Sequence, residues 1–275
     1  MTRDFFNKVI ILSDFDGTFR CSSTAVVPEK NVAAVKKFIS HGGHFTLSTG
    51  RLPSIMREIY PEFTETVNLP LIMSNGAMLC DYENGSIISS ETLPAEIAKE
   101  IILDVTERFL PFLEDWVVYD EQGIIRHKPC EDILNGNSFF YKMRFNAFLE
   151  KDAIAVRDYV SKMYFSHTNV FRSWNTCTEV VTKSASKERM VHRLAGYVQE
   201  KFNGSIPADD LVICAIGDYE NDISLLESAD YAFCPSCAID SVKDKCNYVL
   251  CDASEGAVAQ MIDIIEKNLT DGNLR

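Results

Sequence analysis

The stretch Val9-Ile10-Ile11-Leu12-Ser13-Asp14-Phe15-Asp16-Gly17-Thr18 decides the fold. A short apolar run ends in two carboxylates at i and i+2, which leave the carboxyl end of a strand on the same side, where α/β sheets bind ligands. Working outward, Pro28 to Ser40 reads as a helix, with Val32, Val35 and Ile39 on one stripe, Pro28 suited to its first turn and His41-Gly42-Gly43 to its end. Phe45 to Leu47 is then extended, Leu52 to Tyr60 helical and Leu71 to Met73 extended, a βαβαβ pattern. The last third repeats the alternation: Ser186 to Phe202 helical, Leu211 to Ile216 extended, Tyr219 to Glu227 helical, and Val258, Met261, Ile262 and Ile265 striping a final helix. Both ends therefore predict one α/β domain with a doubly wound parallel sheet.

The middle of the chain has a different rhythm. Pro94 to Phe109 reads as a helix, followed by Trp116 to Tyr119, a Glu121-Gln122-Gly123 turn and Ile124 to His127. A second unit follows, with Lys151 to Phe165 helical and Asn169 to Trp174 and Thr178 to Thr182 extended around Asn175-Thr176. Two αββ units predict a small inserted α+β domain with an antiparallel sheet. Asn84-Gly85, between extended runs Met78 to Tyr82 and Ile87 to Ser89, marks a hairpin near its boundary. The expected division is a core of residues 1–83 and 183–275 with an insertion of about residues 84–182, cheap in entropy when its ends lie close together.

Four local signals carry chemistry. Asp14 and Asp16 can share a hard cation, and Gly17 removes the Cβ that would block approach to an anion. Ser48-Thr49-Gly50-Arg51 lies where a strand meets a helix, and a hydroxyl beside backbone N–H groups there suits a phosphate. Lys187 falls in the first turn of the helix carrying Met190, Leu194 and Val198. Gly217-Asp218-Tyr219-Glu220-Asn221-Asp222 follows an apolar run and adds a second acidic strand end. Taken singly, a D-x-D pair is most often a solvated loop and Lys187 a surface lysine; together the four form a constellation.

In order and context these segments resemble the four motifs of the haloacid-dehalogenase-like phosphohydrolase superfamily, across the whole chain. Leu47-Ser48-Thr49-Gly50-Arg51 and Ser74-Asn75-Gly76-Ala77 look like its Cof-type subgroup, whose members carry an α/β cap between the second and third motifs. Spacing agrees: 33 positions separate Asp16 from Thr49 and 138 separate Thr49 from Lys187, so only the second interval has room for a cap. The resemblance implies a magnesium-dependent phosphatase of small phosphorylated metabolites, sugar phosphates first among them. Asp14 would be the nucleophile that forms an aspartyl-phosphate, and Asp16 the acid and base. Lys187 and Mg²⁺ would neutralise the charge of nucleophile and phosphate. Mg²⁺ would take side-chain oxygens of Asp14 and Asp218 and the main-chain carbonyl of Asp16, while Asp222 either joins it or orients Lys187 or a metal-bound water. Thr49 and Gly50 would hold phosphoryl oxygens, with Arg51, Asn75 and Asn221 as further substrate contacts. The sequence departs from the subgroup at Ala232-Phe233-Cys234-Pro235-Ser236-Cys237-Ala238, where the family usually shows an Ala-Met-Gly-Asn-Ala-like stretch, which bears on substrate preference more than on catalysis.

Composition removes other classes. With 46% hydrophobic and 24% charged residues, 275 residues can bury a substantial core. The formal charge of −13 disfavours binding to nucleic acid or an anionic membrane, and neither a membrane-spanning run nor a targeting segment is evident, which predicts a cytoplasmic protein. Nine cysteines, an odd number, argue for reduced thiols over a disulfide framework. Cys234, Cys237, Cys246 and Cys251 superficially offer a zinc site but fall on separate expected elements, and read as small buried hydrophobes. Only His41 and His44 among the five histidines approach ligand spacing, and they flank a glycine turn. Two rival readings stay open: a phosphomutase, whose cap generally lies between the first two motifs, and a non-hydrolytic phosphorylatable regulatory module, which has no use for Asp16 or so large an insertion. The sequence sets no oligomeric state.

Overall fold

The computed structural model describes residues 5–120, 123–126, 139–201 and 210–272. In chain order the first part comprises β1 (Val9–Ser13), α1 (Glu29–Ser40), β2 (His44–Leu47), α2 (Pro53–Ile59), β3 (Leu71–Met73), β4 (Met78–Cys80) and β5 (Ile87–Ser90). The middle comprises β6 (Leu93–Pro94), α3 (Ala95–Phe109), β7 (Leu113–Asp120), β8 (Gly123–Arg126), β9 (Phe139–Phe140), β10 (Lys142–Ala147), α4 (Glu150–Met163), β11 (Thr168–Trp174) and β12 (Cys177–Thr182). The last part comprises α5 (Lys187–Lys201), β13 (Val212–Ile216), α6 (Ile223–Glu227), β14 (Tyr231–Pro235), α7 (Asp240–Lys243), β15 (Tyr248–Leu250) and α8 (Ala257–Thr270).

The core is a parallel sheet in the order β15-β14-β13-β1-β2. Every residue of β1 is buried, as a central parallel strand requires. Its period of two sends Val9 and Ile11 to the layer formed by α1 and α8, with Val35, Phe38, Val258 and Met261. Ile10 and Leu12 go to the opposite layer, with Met190, Leu194 and Val198 of α5 and Leu225 of α6. Ser13 is level with Ile216 of β13 and Leu47 of β2. The three strands thus end together, and Asp14, Gly217-Asp218 and Ser48-Thr49 all leave the sheet at one edge.

Three local expectations need correction. Leu71 to Met73 does not continue the parallel sheet as a regular strand: it meets the core through a single parallel bridge, Ser48 to Ile72, and pairs antiparallel with β4. The left-handed residues Ser74 and Asn75 (φ 49° and 57°) reverse the chain immediately after it. The expected helix Tyr219 to Glu227 is a short 3₁₀ turn, Glu220–Asp222, running into α6. In the middle, the two hairpins are joined by β10, which the sequence reading missed, into one antiparallel sheet of order β11-β12-β10-β7-β8. One face of that sheet packs Val118, Met143, Phe145 and Val180 against α3 and α4. On the other, Val117, Tyr119 and Val181 join the hydrophobic cluster of the core. The turn residues Glu121-Gln122, His127 and the distal end of the expected helix at Phe202 lie outside the described residues.

Candidate active site

The edge where β1, β2 and β13 end gathers the charged groups. Lys187, at the first position of α5 and 1% exposed, donates from Nζ to Asp14 Oδ1 at 2.8 Å, Asp222 Oδ1 at 2.5 Å and the Ser48 carbonyl at 2.9 Å. One ammonium thus ties together the loops after β1, β2 and β13. The other oxygen of Asp222 accepts the N–H groups of Asp218 and Tyr219, at 3.0 and 3.1 Å, which bends the chain after β13 into its tight turn. Gly217 permits that turn, since a Cβ there would lie 2.4 Å from that of Asp222. Asp218 accepts the Thr18 hydroxyl at 2.7 Å. Gly17 adopts φ +87°, and a Cβ on it would stand 2.3 Å from Asp218 Oδ2, so glycine is what allows the loop of the first strand to touch the loop of the fourth motif.

Burial, reinforced by the charge of Asp222 and only partly opposed by Lys187, holds the Asp14 carboxyl well above the usual range. Burial and Asp222 likewise push Asp218 up to about 7. Burial pulls on Lys187 in the opposite sense, but the charges of Asp14 and Asp222 outweigh it and keep the ammonium protonated. Oxygens of Asp14, Asp218 and Asp222 lie within 4.8 Å of one another. Three carboxylates so close repel one another, a situation that a hard divalent cation relieves. The donor set, all oxygen, fits Mg²⁺. Among the described residues this is the one grouping that could hold a metal, so the cysteines near Cys234 do not assemble a zinc site. Cys237 instead approaches the Gly17 carbonyl, Sγ to O 3.7 Å, bringing the divergent loop to the border of the site.

Asp16 behaves differently from Asp14. Its carboxylate turns to Arg51 and Arg20. Arg51 is therefore engaged within the protein. Thr49 is buried and lines the cavity beside Gly50, its hydroxyl accepting the Arg51 N–H at 3.2 Å. Asn75 stands behind the cavity wall and bridges two parts of the chain: Nδ2 donates to Glu179 Oε2, and Oδ1 accepts from Asn221 Nδ2 at 3.2 Å.

The inserted sheet supplies residues that the sequence reading did not find. Lys142 of β10, almost fully buried, donates to the Gly50 carbonyl at 2.6 Å and to Glu179 Oε1 at 2.5 Å, over the ring of Tyr119. Glu220, beside the acidic turn, accepts Arg172 Nε and Nη2 at 2.9 and 2.7 Å and Arg157 Nη1 at 3.0 Å. The Tyr219 hydroxyl donates to Asn175 at 2.7 Å. These contacts seat the inserted domain on the edge where β1, β2 and β13 end. A signal for two of them stood in the sequence: the strict alternation Lys142-Met143-Arg144-Phe145-Asn146-Ala147, and Glu179 as the single charge in Cys177 to Thr182. A cavity of about 660 Å³, within the usual range for a small-molecule site, lies between the two parts.

Residues 11–262 match a family described as haloacid dehalogenase-like hydrolase. The chain is 24% identical to a 5-amino-6-(5-phospho-D-ribitylamino)uracil phosphatase, YwtE, of Bacillus subtilis, over 92% of this chain and 96% of that protein. It is also 24% identical to the pyridoxal phosphate phosphatase YbhA of Escherichia coli, over 92% and 97%. Among solved structures, a HAD/COF-like hydrolase from Plasmodium vivax superposes with a TM-score of 0.75 at 21% identity, covering 94% of this chain and 95% of that one. No helix among the described residues is long and apolar enough to cross a membrane.

Proposed function

Since the chain belongs to the haloacid dehalogenase-like hydrolase family, we propose that it is a phosphatase of the Cof type that hydrolyses small phosphomonoesters through an aspartyl-phosphate on Asp14, with Mg²⁺ as cofactor. The observation that carries this reading is Lys187, an ammonium buried between Asp14 and Asp222 beside Asp218. An anionic nucleophile can approach a phosphate dianion only where positive charge is already in place. Asp14 and Asp218, the main-chain carbonyl of Asp16 and, as the remaining candidate, Asp222 would hold the metal. When bound, it supplies two further positive charges to the carboxylate and the phosphoryl oxygens.

In the first half-reaction an Asp14 oxygen attacks phosphorus while the ester P–O bond breaks, and Asp16 gives a proton to the leaving oxygen. For that step the Asp16 carboxylate has to leave Arg51, which frees the guanidinium for the phosphoryl group. In the second, Asp16 takes a proton from water as the water oxygen attacks phosphorus, and the bond to Asp14 breaks to release inorganic phosphate. Thr49 and the Gly50 N–H hold phosphoryl oxygens. Asn75 and Asn221 shape the wall behind them. Residues 84–182 serve as the cap that excludes water and reads the leaving group. The two bacterial relatives are named for phosphate esters of a ribitylaminouracil and of pyridoxal, which supports small phosphorylated metabolites as the substrate class, sugar phosphates included. The acidic surface and dispersed thiols suit a cytoplasmic enzyme with no nucleic-acid partner.

The test is hydrolysis of p-nitrophenyl phosphate with and without Mg²⁺. Turnover that needs the metal and disappears in Asp14→Asn is expected; metal-independent turnover, or turnover surviving that substitution, rules the reading out.

A further inference from the structure

Among the described residues, the cap wall of the cavity holds a guanidinium that no carboxylate pairs. On β10 the alternation sends Met143, Phe145 and Ala147 into the hydrophobic core of the inserted domain, so Lys142 and Arg144 both face the cleft. Lys142 is satisfied by Glu179 and the Gly50 carbonyl. Arg144 is not. Its level neighbour on β12 is Glu179, whose two oxygens accept Lys142 Nζ and Asn75 Nδ2 and make no hydrogen bond to the guanidinium. The carboxylate of Asp115, on the strand at its other side, accepts Asn146 Nδ2. Among the described residues Arg144 makes no hydrogen bond or ion pair, and its Nε is buried without an acceptor. Its remaining contact is the Tyr119 ring, 5.9 Å from the guanidinium carbon to the ring centroid.

The other basic side chains lining this cavity each have a carboxylate: Arg20 and Arg51 share Asp16, and Lys142 has Glu179. A buried guanidinium N–H with no acceptor is costly, and the planar fork of arginine suits a carboxylate or phosphoryl group, which offers it two oxygens at once. Arg144 shares the cavity with Asp14, and at about 660 Å³ that cavity holds far more than one phosphoryl group. Trp174, 56% exposed, lines the same space and offers an apolar surface to the carbon skeleton.

Building on the phosphatase reading, we infer that Arg144 binds a second anionic group on the leaving-group side of the substrate, a carboxylate or a second phosphoryl group, and so selects phosphomonoesters that carry one. Phosphate at Asp14 and the second anion at Arg144 would anchor the two ends of one metabolite. The inference assigns Arg144 to specificity and gives it no part in bond breaking.

The test compares kcat/KM of the full-length protein, with Mg²⁺, on matched pairs. In 3-phosphoglycerate a carboxylate replaces the terminal hydroxymethyl of glycerol 3-phosphate; fructose 1,6-bisphosphate adds a phosphoryl group to fructose 6-phosphate. The wild type is expected to favour the anionic member of at least one pair by about tenfold or more, and the pair that shows it identifies the group. Arg144→Gln should bring that ratio close to one, and Arg144→Lys should keep part of it, with melting temperatures confirming that both variants fold. Ratios near one for the wild type on both pairs, or a ratio untouched by Arg144→Gln, overturn the inference. Failure of the phosphatase reading would show separately, as absent hydrolysis of p-nitrophenyl phosphate. In that event calorimetric binding of 3-phosphoglycerate and glycerol 3-phosphate to Asp14→Asn protein, with and without Arg144→Gln, decides the matter. Arg144 stands only if the acid binds more tightly and its advantage is lost with the guanidinium.

Discussion

Arg51 closes a two-pronged ion pair on Asp16, Nε to Oδ2 at 2.5 Å and Nη2 to Oδ1 at 2.9 Å, and Arg20 adds a third contact to Oδ1 at 2.8 Å. The carboxylate two residues beyond Asp14 is thereby held apart from Lys187 and the acidic cluster, in an environment of its own. Adjacent carboxylates in different surroundings can divide nucleophilic from proton-transfer work.

Asp16→Asn is therefore expected to lower turnover by about 10²–10⁴-fold on alkyl phosphates, whose leaving oxygen needs a proton. The loss should shrink on p-nitrophenyl phosphate, whose leaving group departs as a stable anion. Equal losses on both substrates would assign Asp16 to binding or structure and not to proton transfer.

Lys187 is expected to matter to the fold as well as to the chemistry. Lys187→Met leaves Asp14 and Asp222 buried with no cation, and breaking a buried pair from one side costs about 3–5 kcal/mol. The expected result is lost turnover together with a clearly lower unfolding midpoint in metal-free urea titrations. Added Mg²⁺ should recover part of the stability and none of the activity. An unchanged midpoint would mean that the cluster does not depend on this ammonium.

The pair Lys142 and Glu179 lies between neighbouring strands of the inserted sheet, with side chains 4% and 5% exposed, and Lys142 also ties that sheet to the Gly50 carbonyl in the loop after β2. Lys142→Met alone should destabilise by about 3–5 kcal/mol, because it strands Glu179. The double variant Lys142→Met, Glu179→Leu should recover much of that loss, since an apolar pair of similar volume needs no counter-charge. Additive losses in denaturant unfolding would show that the pair is not coupled.

Much of this arrangement was legible in the sequence, for physical reasons. The apolar run of β1 with carboxylates at its end, and the i, i+3, i+7 stripe of α1, are local patterns that tertiary packing reinforces. The turn after β13 was legible as chemistry but not as geometry, because Asp222 spends its side chain on the N–H groups of Asp218 and Tyr219 and converts a helix start into a 3₁₀ turn. β10 escaped because it carries Lys142 and Arg144 and follows a segment with no clear periodicity. Its alternating pattern makes sense only once Lys142 has a buried carboxylate to meet. Motif order marks Arg51 as a substrate contact but carries no sign of its ion pair with Asp16, which lies 35 positions earlier.

Chelation should abolish turnover, and Mg²⁺ should restore it. Ca²⁺ is expected to bind and inhibit. Its longer bonds and coordination number of about 6–8 let it take both oxygens of a carboxylate, which would occupy Asp14 as a nucleophile. Competition measured as Mg²⁺-reversible inhibition checks this, and full activity in excess chelator would refute a metal requirement.

The account rests on a covalent bond between Asp14 and phosphorus, and borohydride trapping followed by peptide mass spectrometry measures it most directly. Borohydride reduces an acyl phosphate to the alcohol, so protein treated during turnover should contain homoserine at position 14, and protein treated without substrate should retain aspartate. Homoserine at another position, or unreduced Asp14 in protein shown to be turning over under conditions that trap a control acyl phosphate, would contradict the mechanism.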